Sequence, residues 1–128
     1  MEFPEGLKYT QTHEWAKREG TKVRVGITSY AQHEISDVVF VELPKAGREA
    51  AKGKGISVVE SVKAAFDIYA PVSGKVTGAN ETLESRPALV NEDPYGRGWL
   101  FEIEMSDPAE WENLLPASQY QEQCITTH

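Results

Sequence analysis

The sequence predicts a mostly-β fold, a barrel or sandwich of short strands with its helices confined mainly to the C-terminus. Segments rich in β-branched and aromatic residues recur between Gly and Pro turns, which is typical of all-β proteins. The halves on either side of Lys63 each hold a strong strand, a Pro/Gly turn and a further strand. Because 128 residues suit one hydrophobic core, we predict a single domain over residues 1–128.

In the amino-terminal half, alternation of apolar and polar residues predicts strands and one short helix. The strands are expected at 7–9, 14–17, 22–27 and 37–43. Thr28 or Ser29 can cap the helix, which is expected near 29–35. Pro and Gly at 44–47 end the strongest of these strands.

The carboxy-terminal half predicts a strand at 99–104 and then a C-terminal helical segment over about 107–123. Asp107 is a good N-cap, Pro108 suits the first helical position, and Glu110 suits the third. Pro116 is expected to divide this segment, because proline cannot continue a helix. Between 91 and 98 the sequence is a dense cluster of turn residues.

Lys63 lies between two β-rich segments, 56–62 and 66–76, at the point where one strand must reverse into the next. A lone lysine at the tip of a hairpin is poorly placed for packing and well placed for chemical modification. The position therefore favours a carrier protein over a catalyst.

The charge balance excludes some partners. With 13 basic and 20 acidic residues the net charge is −7, so the chain should repel nucleic acid and anionic membrane surfaces. No apolar run approaches the roughly 20 residues that span a bilayer. The first residues lack the pattern of a signal or transit peptide, so a cytoplasmic, bacterial setting is expected.

The residue patterns of common active sites are missing from the sequence. Cys124 is the only cysteine, and His13, His33 and His128 lack the spacing of metal ligands. The glycines and lysines at 47–54 do not have phosphate-loop spacing, and no nucleophile elbow occurs. We therefore expect a non-catalytic protein without a bound metal.

The segment around Lys63 resembles the lipoate attachment site of the glycine cleavage H-protein family. Similar motifs follow one another from about residue 7 to residue 120, at 9–15, 25–28, 31–32, 37–44, 60–64, 67–74, 89–91, 94–96 and 98–99. The resemblance implies a barrel-sandwich hybrid of two antiparallel sheets, as in lipoyl and biotinyl carriers. It also implies that lipoate is joined through an amide to Lys63.

The resemblance further implies a monomeric shuttle within the glycine cleavage system. The lipoyl group on Lys63 would take an aminomethyl group from a pyridoxal-phosphate (PLP) glycine decarboxylase to a tetrahydrofolate-dependent aminomethyltransferase. It would then pass electrons to an FAD-dependent dihydrolipoyl dehydrogenase. A lipoate ligase or lipoyl transferase would attach the cofactor, and Glu60 and Gly74 match positions that help such enzymes to recognise the hairpin.

By the same resemblance, a cleft shelters the loaded arm. Its cationic amine could be held by a carboxylate through a charge-assisted hydrogen bond. Glu14 and Asp67 match acids that line this cleft in the family, and Thr12 matches a hydroxyl position there.

Three positions depart from the family pattern. Glu34 stands where relatives often carry histidine, Ser36 where they carry glycine, and Phe66 where they carry a small polar residue. These differences leave open a lipoate relay or interaction protein of the same type. A biotin carrier domain is a further alternative, although such domains flank the lysine with methionines rather than with Val62 and Ala64.

Overall fold

The computed structural model describes residues 2–126, and this part of the chain forms two antiparallel β-sheets. Its ten strands are β1 (Lys8–Tyr9), β2 (Glu14–Glu19), β3 (Lys22–Ile27), β4 (Val38–Glu42), β5 (Glu49–Ala50), β6 (Gly55–Ser61), β7 (Ala65–Tyr69), β8 (Gly74–Ala79), β9 (Phe101–Met105) and β10 (Leu115–Pro116). Its five helices are α1 (Ser29–Ile35), α2 (Thr82–Ser85), α3 (Leu89–Glu92), α4 (Ala109–Glu112) and α5 (Ala117–Thr126). No helix within these residues is long and apolar enough to cross a membrane.

The larger sheet has seven strands in the order β10-β1-β2-β3-β9-β8-β5, and the smaller has three in the order β4-β6-β7. Buried aliphatic side chains from both sheets form one cluster, in which Val25, Val59 and Ile103 are fully buried. The alternation seen in the sequence supplies this face, since successive side chains of a strand point to opposite sides. The prediction of a mostly-β fold with two antiparallel sheets is confirmed. The single-domain assignment extends beyond the described residues and stays a prediction.

The short helix α1 lies where the sequence placed it. The Thr28 hydroxyl oxygen caps it by accepting a hydrogen bond from the Ala31 N–H at 3.1 Å. At its other end Ser36 has a φ of 68°, a conformation that glycine adopts at the lowest cost. The glycine that the resemblance implies at this position would therefore fit this turn without strain. Asn91 fixes the turn by donating to the Ser36 carbonyl at 2.8 Å and accepting from the Val38 N–H at 2.9 Å.

The strand expected over 66–76 is in fact two strands in different sheets. β7 ends at Tyr69, and β8 begins at Gly74 in the seven-stranded sheet. Pro71 lies between them, and proline has no N–H with which to extend a strand ladder. The chain therefore crosses from one sheet to the other immediately after the lysine hairpin.

The C-terminal helical segment expected over about 107–123 is divided at Pro116, as the sequence predicted, but a short strand that the sequence did not predict lies at the division. Leu115 and Pro116 pair with β1 as strand β10, which separates α4 from the ten-residue helix α5. Pro116 cannot donate the helical hydrogen bond, and it disfavours a helical conformation at the residue before it. Asp107 does accept from the Ala109 N–H at 3.1 Å, as its N-cap position predicted.

A second, aromatic cluster joins α5 to the seven-stranded sheet. Tyr120 of α5 stacks on Tyr9 of β1 with ring centroids 4.7 Å apart, and both side chains are fully buried. Its other buried members are Trp15, Tyr30, Ala117 and Cys124. The C-terminal helix is thus packed directly behind the loop that precedes β2.

Candidate functional site

Lys63 lies at the tip of a tight hairpin. Strands β6 and β7 pair antiparallel up to Glu60 and Ala65, and the chain reverses between them. The Ser61 side chain fixes the reversal, because its oxygen accepts from the N–H groups of Lys63 at 3.2 Å and Ala64 at 3.3 Å. The Lys63 side chain is exposed, and no ion pair within residues 2–126 involves it. The hairpin therefore presents a free amine on a backbone held in one conformation.

A cavity of about 300 Å³ opens along β7, beside the hairpin. Its apolar walls come from Ile27, Tyr30, Ala31, Ile35, Phe66 and Ile68. Four polar side chains also line it, namely Thr12, His13, Glu34 and Asp67. Asp67 and Glu34 are both exposed, so their carboxylates lie at the solvent side of the cavity.

Glu14 does not line this cavity and is almost completely buried, with 1% of its surface exposed. Its carboxylate accepts hydrogen bonds from the hydroxyls of Thr10 and Thr12, each at 2.5 Å, and from the Tyr69 N–H at 3.1 Å. Burial raises the pKa of the Glu14 carboxyl, and these hydrogen bonds partly oppose the rise because they favour the ionised form. Glu14 lies on β2 of the seven-stranded sheet and Tyr69 ends β7 of the three-stranded sheet, so the hydrogen bond between them joins the two sheets.

A second cavity, of about 270 Å³, is lined by Glu14. Lys52 is the other charged residue of its lining, Gln11 and Asn113 contribute side-chain amides, and Thr12 lines both cavities. The resemblance predicted that Glu14, Asp67 and Thr12 line one cleft. The structure brings the three to one region but places the two acids in different cavities, with the Thr12 hydroxyl between them.

His13 also lines the 300 Å³ cavity. From the sequence, His13 is weighed only as a possible metal ligand. Its ring lies 4.6 Å from that of Tyr30, and its Nδ1 is 2.7 Å from the Tyr120 hydroxyl. Burial lowers the pKa of His13. The same Tyr120 hydroxyl is 2.7 Å from the Thr28 hydroxyl oxygen, so α5 holds the wall in place. Local sequence carries no signal for this contact, because His13 and Tyr120 are 107 residues apart.

The other histidines lie elsewhere. His33 is exposed on α1, with its Nδ1 3.8 Å from the Glu34 carboxylate, and it does not line the cavity. His128 lies outside the described residues. Within residues 2–126 there is no group of three His, Cys, Asp or Glu side chains that could hold a metal ion.

The two residues expected to aid lipoylation occupy different sheets. Glu60 is half-buried on β6 and pairs with Phe40 on one side and Ala65 on the other. Gly74 is buried on β8, where a Cβ atom would lie 2.0 Å from the Glu104 carbonyl oxygen. Close packing of two strands therefore requires glycine at this position, independently of any recognition.

The fold and this hairpin together define a class of protein, in which two antiparallel sheets present one lysine at the end of a strand pair. Comparisons with known proteins identify the family. The family model described as "Glycine cleavage H-protein" matches residues 7–127. The chain is 53% identical over 117 residues to a glycine cleavage system H protein of Thermotoga maritima, covering 91% of this chain and 94% of the relative.

Two further matches agree. A glycine cleavage system H protein of Thermus thermophilus is 53% identical over 122 residues, which cover 95% of each chain. The crystal structure of a glycine cleavage system H protein from Mycobacterium marinum superposes with a TM-score of 0.88 at 38% identity, covering 95% of this chain and 98% of that one. The chain therefore belongs to the glycine cleavage H-protein family, and the resemblance drawn from the sequence is confirmed.

Proposed function

We propose that this chain is the lipoyl carrier of a glycine cleavage system, with lipoate attached to Lys63. The observation that carries the proposal is the free, exposed Lys63 amine on a hairpin whose turn is fixed by Ser61, in a chain of this family. The two hydrogen bonds of Ser61 hold the turn in one conformation before any enzyme binds. This lowers the entropic cost of placing the Lys63 amine in another enzyme's active site.

Attachment requires that Lys63 act as a nucleophile toward an activated lipoyl group supplied by a ligase or transferase. The neutral amine attacks the acyl carbonyl, an amide bond forms, and the leaving group of the activated acyl donor departs with one proton released. Because the lysine loses its positive charge, the formal net charge changes from −7 to −8. Glu60 and Gly74 support recognition of the hairpin during this step.

The 300 Å³ cavity suits a hydrocarbon arm that ends in a cationic amine. Apolar side chains such as Ile35, Phe66 and Ile68 match the arm, and the carboxylate of Asp67 matches the amine. When bound, lipoate supplies a cyclic disulfide that can accept a one-carbon group and two electrons. The chain itself tethers the arm at Lys63 and covers its hydrocarbon part with apolar side chains, while the Thr12 hydroxyl lines the same cavity and donates to the buried carboxylate of Glu14.

The partners that follow from this proposal are glycine decarboxylase, the tetrahydrofolate-dependent aminomethyltransferase and dihydrolipoyl dehydrogenase. A monomer serves all three by raising the effective concentration of the tethered group at each active site. One observation keeps the lipoate relay as a second candidate function. Glu34 and Phe66, two of the three departures from the family pattern, both line the cavity that would hold the arm.

The attachment site is tested with a lipoate–protein ligase, ATP and lipoate, with intact mass as the readout. We expect one acyl group on the wild-type chain, and none on Lys63→Ala or on Lys63→Arg, which keeps the charge. Lys17→Arg is the matched control, because Lys17 is also an exposed lysine but lies on β2, away from the hairpin, and it should be acylated normally. Full acylation of Lys63→Arg would overturn the assignment. A streptavidin signal on protein from cells would instead support a biotin carrier.

The catabolic role is tested by glycine–bicarbonate exchange with glycine decarboxylase. We expect the fully lipoylated chain to support exchange and the unmodified chain to support none. If the lipoylated chain gives no exchange, the carrier role in glycine cleavage is wrong and the relay function takes its place.

A further inference from the structure

Three large apolar side chains are exposed within residues 2–126, and all three lie beside the Lys63 hairpin. Val39, Phe40 and Val62 retain 53%, 49% and 70% of their accessible surface. We refer to these three residues as the outer patch. Single exposed apolar residues are common on protein surfaces, but a cluster next to one functional group is a feature of interaction sites.

A β-bulge produces the outer patch. Val38 pairs with Ser61 and Phe40 pairs with Glu60, so Val39 is an extra residue in the ladder between β4 and β6. Consecutive strand residues normally face opposite sides of a sheet, yet here Val39 and Phe40 are both exposed.

Val62 lies at the end of the same strand pair. Its N–H donates to the Asp37 carbonyl at 3.1 Å, which places it next to the start of β4. The outer patch therefore runs from the hairpin tip along the edge of the small sheet. Proteins usually protect such an edge with charged residues, and this edge exposes Val39 and Phe40 instead.

Apart from Lys63 itself, which acylation neutralises, the charges next to the outer patch are acidic. Asp37 precedes β4, Glu42 ends it, and Glu60 stands opposite Phe40. No ion pair within the described residues involves any of these three acids. An apolar surface with unpaired acids at its rim is complementary to an apolar surface rimmed by lysine or arginine.

Phe40 also lines a cavity of about 640 Å³ between the end of β4 and α2. Leu43 and Pro44 give this cavity an apolar wall. Its charged lining consists of one exposed lysine, Lys45, and three exposed acids, Glu42, Glu81 and Glu84, so its net charge is negative. The apolar surface therefore continues from the hairpin into a recess that could receive a partner side chain. Its acidic surroundings have the same sign as those of the outer patch.

We propose that the outer patch is the docking surface of the enzyme that acylates Lys63, and that this enzyme meets it with apolar residues inside a basic rim. The proposal rests on the proposed function. An acylating enzyme must bring the lysine nitrogen itself into its active site, so its surface must contact the residues next to the hairpin. Enzymes that act later on the end of a long flexible arm do not need this contact.

The test measures KM and kcat for the unmodified chain as substrate of a lipoate–protein ligase, with product quantified by intact mass. In the double variant Val39→Ser/Phe40→Ser we expect KM to rise about tenfold with little change in kcat, because the loss is in binding. Phe40→Leu keeps an apolar side chain and should stay near the wild-type KM.

Two charge-reversal variants, one at the rim and one away from it, test the role of the acids around the outer patch. Glu42→Lys should raise KM several-fold, whereas Glu19→Lys makes the same change on an exposed residue of β2 and should leave KM unchanged. Circular dichroism checks that each variant is folded. If the double variant fails to fold, Val62→Ser replaces it, since Val62 lies in the turn outside the strands.

The outcomes separate the inference from the proposed function. If wild type is acylated on Lys63 and the folded patch variants have the wild-type KM, the inference is wrong and the carrier assignment stands. If the patch variants are acylated normally but lose only exchange with glycine decarboxylase, the surface belongs to a different partner and the inference is also wrong. If wild type is not acylated, both fail.

Discussion

Replacing Gly74 with alanine should destabilise the protein strongly. The added Cβ would lie 2.0 Å from the Glu104 carbonyl oxygen and 2.8 Å from Cγ2 of Ile103. Because the first of these atoms belongs to the backbone of the adjacent strand β9, no side-chain rotation can relieve the clash. Overpacking of a well-packed site costs up to about 3 kcal/mol, and we expect the free energy of unfolding to fall by that amount. For a chain of this length the midpoint temperature should drop by roughly 12 °C.

Urea denaturation followed by tryptophan fluorescence measures this loss, and Gly78→Ala is its control. Gly78 lies on the same strand, β8, but a Cβ added there would meet no atom within 4 Å. This variant should change the free energy of unfolding by less than about 1 kcal/mol. If Gly74→Ala unfolds at the same urea concentration as Gly78→Ala, the close approach of β8 and β9 does not constrain the position. A folded Gly74→Ala with a raised ligase KM would support the recognition role as well.

Two further predictions concern the buried polar groups of the site. Since burial raises the pKa of Glu14, its contribution to stability is full below the ordinary value of 4.5 and is lost as the pH rises through the folded-state pKa. The free energy of unfolding of wild type relative to Glu14→Gln should therefore fall as the pH rises above about 4.5. Glu19→Gln, the same substitution at an exposed position of the same strand, is the control, and a flat difference for Glu14→Gln would contradict the reasoning. Tyr120→Phe removes a hydroxyl that makes two hydrogen bonds of 2.7 Å, so the free energy of unfolding measured with urea should fall by about 2 kcal/mol. Tyr69→Phe is the control, because the Tyr69 hydroxyl makes no hydrogen bond within residues 2–126, and it should cost less than about 0.5 kcal/mol. Equal losses for the two variants would show that the Tyr120 hydrogen bonds do not stabilise the fold.

Local sequence was a good guide wherever short-range patterning decides the structure. The helix expected near 29–35 is observed as Ser29–Ile35, because Thr28 supplies a strong N-cap. The strand expected at 37–43 is observed as Val38–Glu42, and the reversal at Lys63 lies between β6 and β7 as the flanking β-branched residues indicated. These features depend on residues that are close together along the chain.

Features that depend on distant residues were missed or misplaced. Leu115 pairs with Tyr9 in strand β10, and nothing near residue 115 encodes a partner at residue 9. The resemblance placed Glu14 in the cleft, but local sequence does not predict its burial, which depends on Thr10, Thr12 and the Tyr69 N–H satisfying its carboxylate. The sequence therefore identified the candidate residues of the site, while their division between two cavities required the fold.

The Ser61 side chain has a consequence for the geometry of transfer. The Ser61 oxygen accepts from two successive backbone N–H groups in the turn, so the backbone at Lys63 is held in one position and any group attached there starts from a fixed point. The region that such a group can sweep is then set by the lengths of the lysine side chain and the attached arm, not by bending of the hairpin. Each active site that acts on the attached group must therefore come within the combined length of the lysine side chain and the arm from the hairpin. Two large enzymes cannot occupy that space at once.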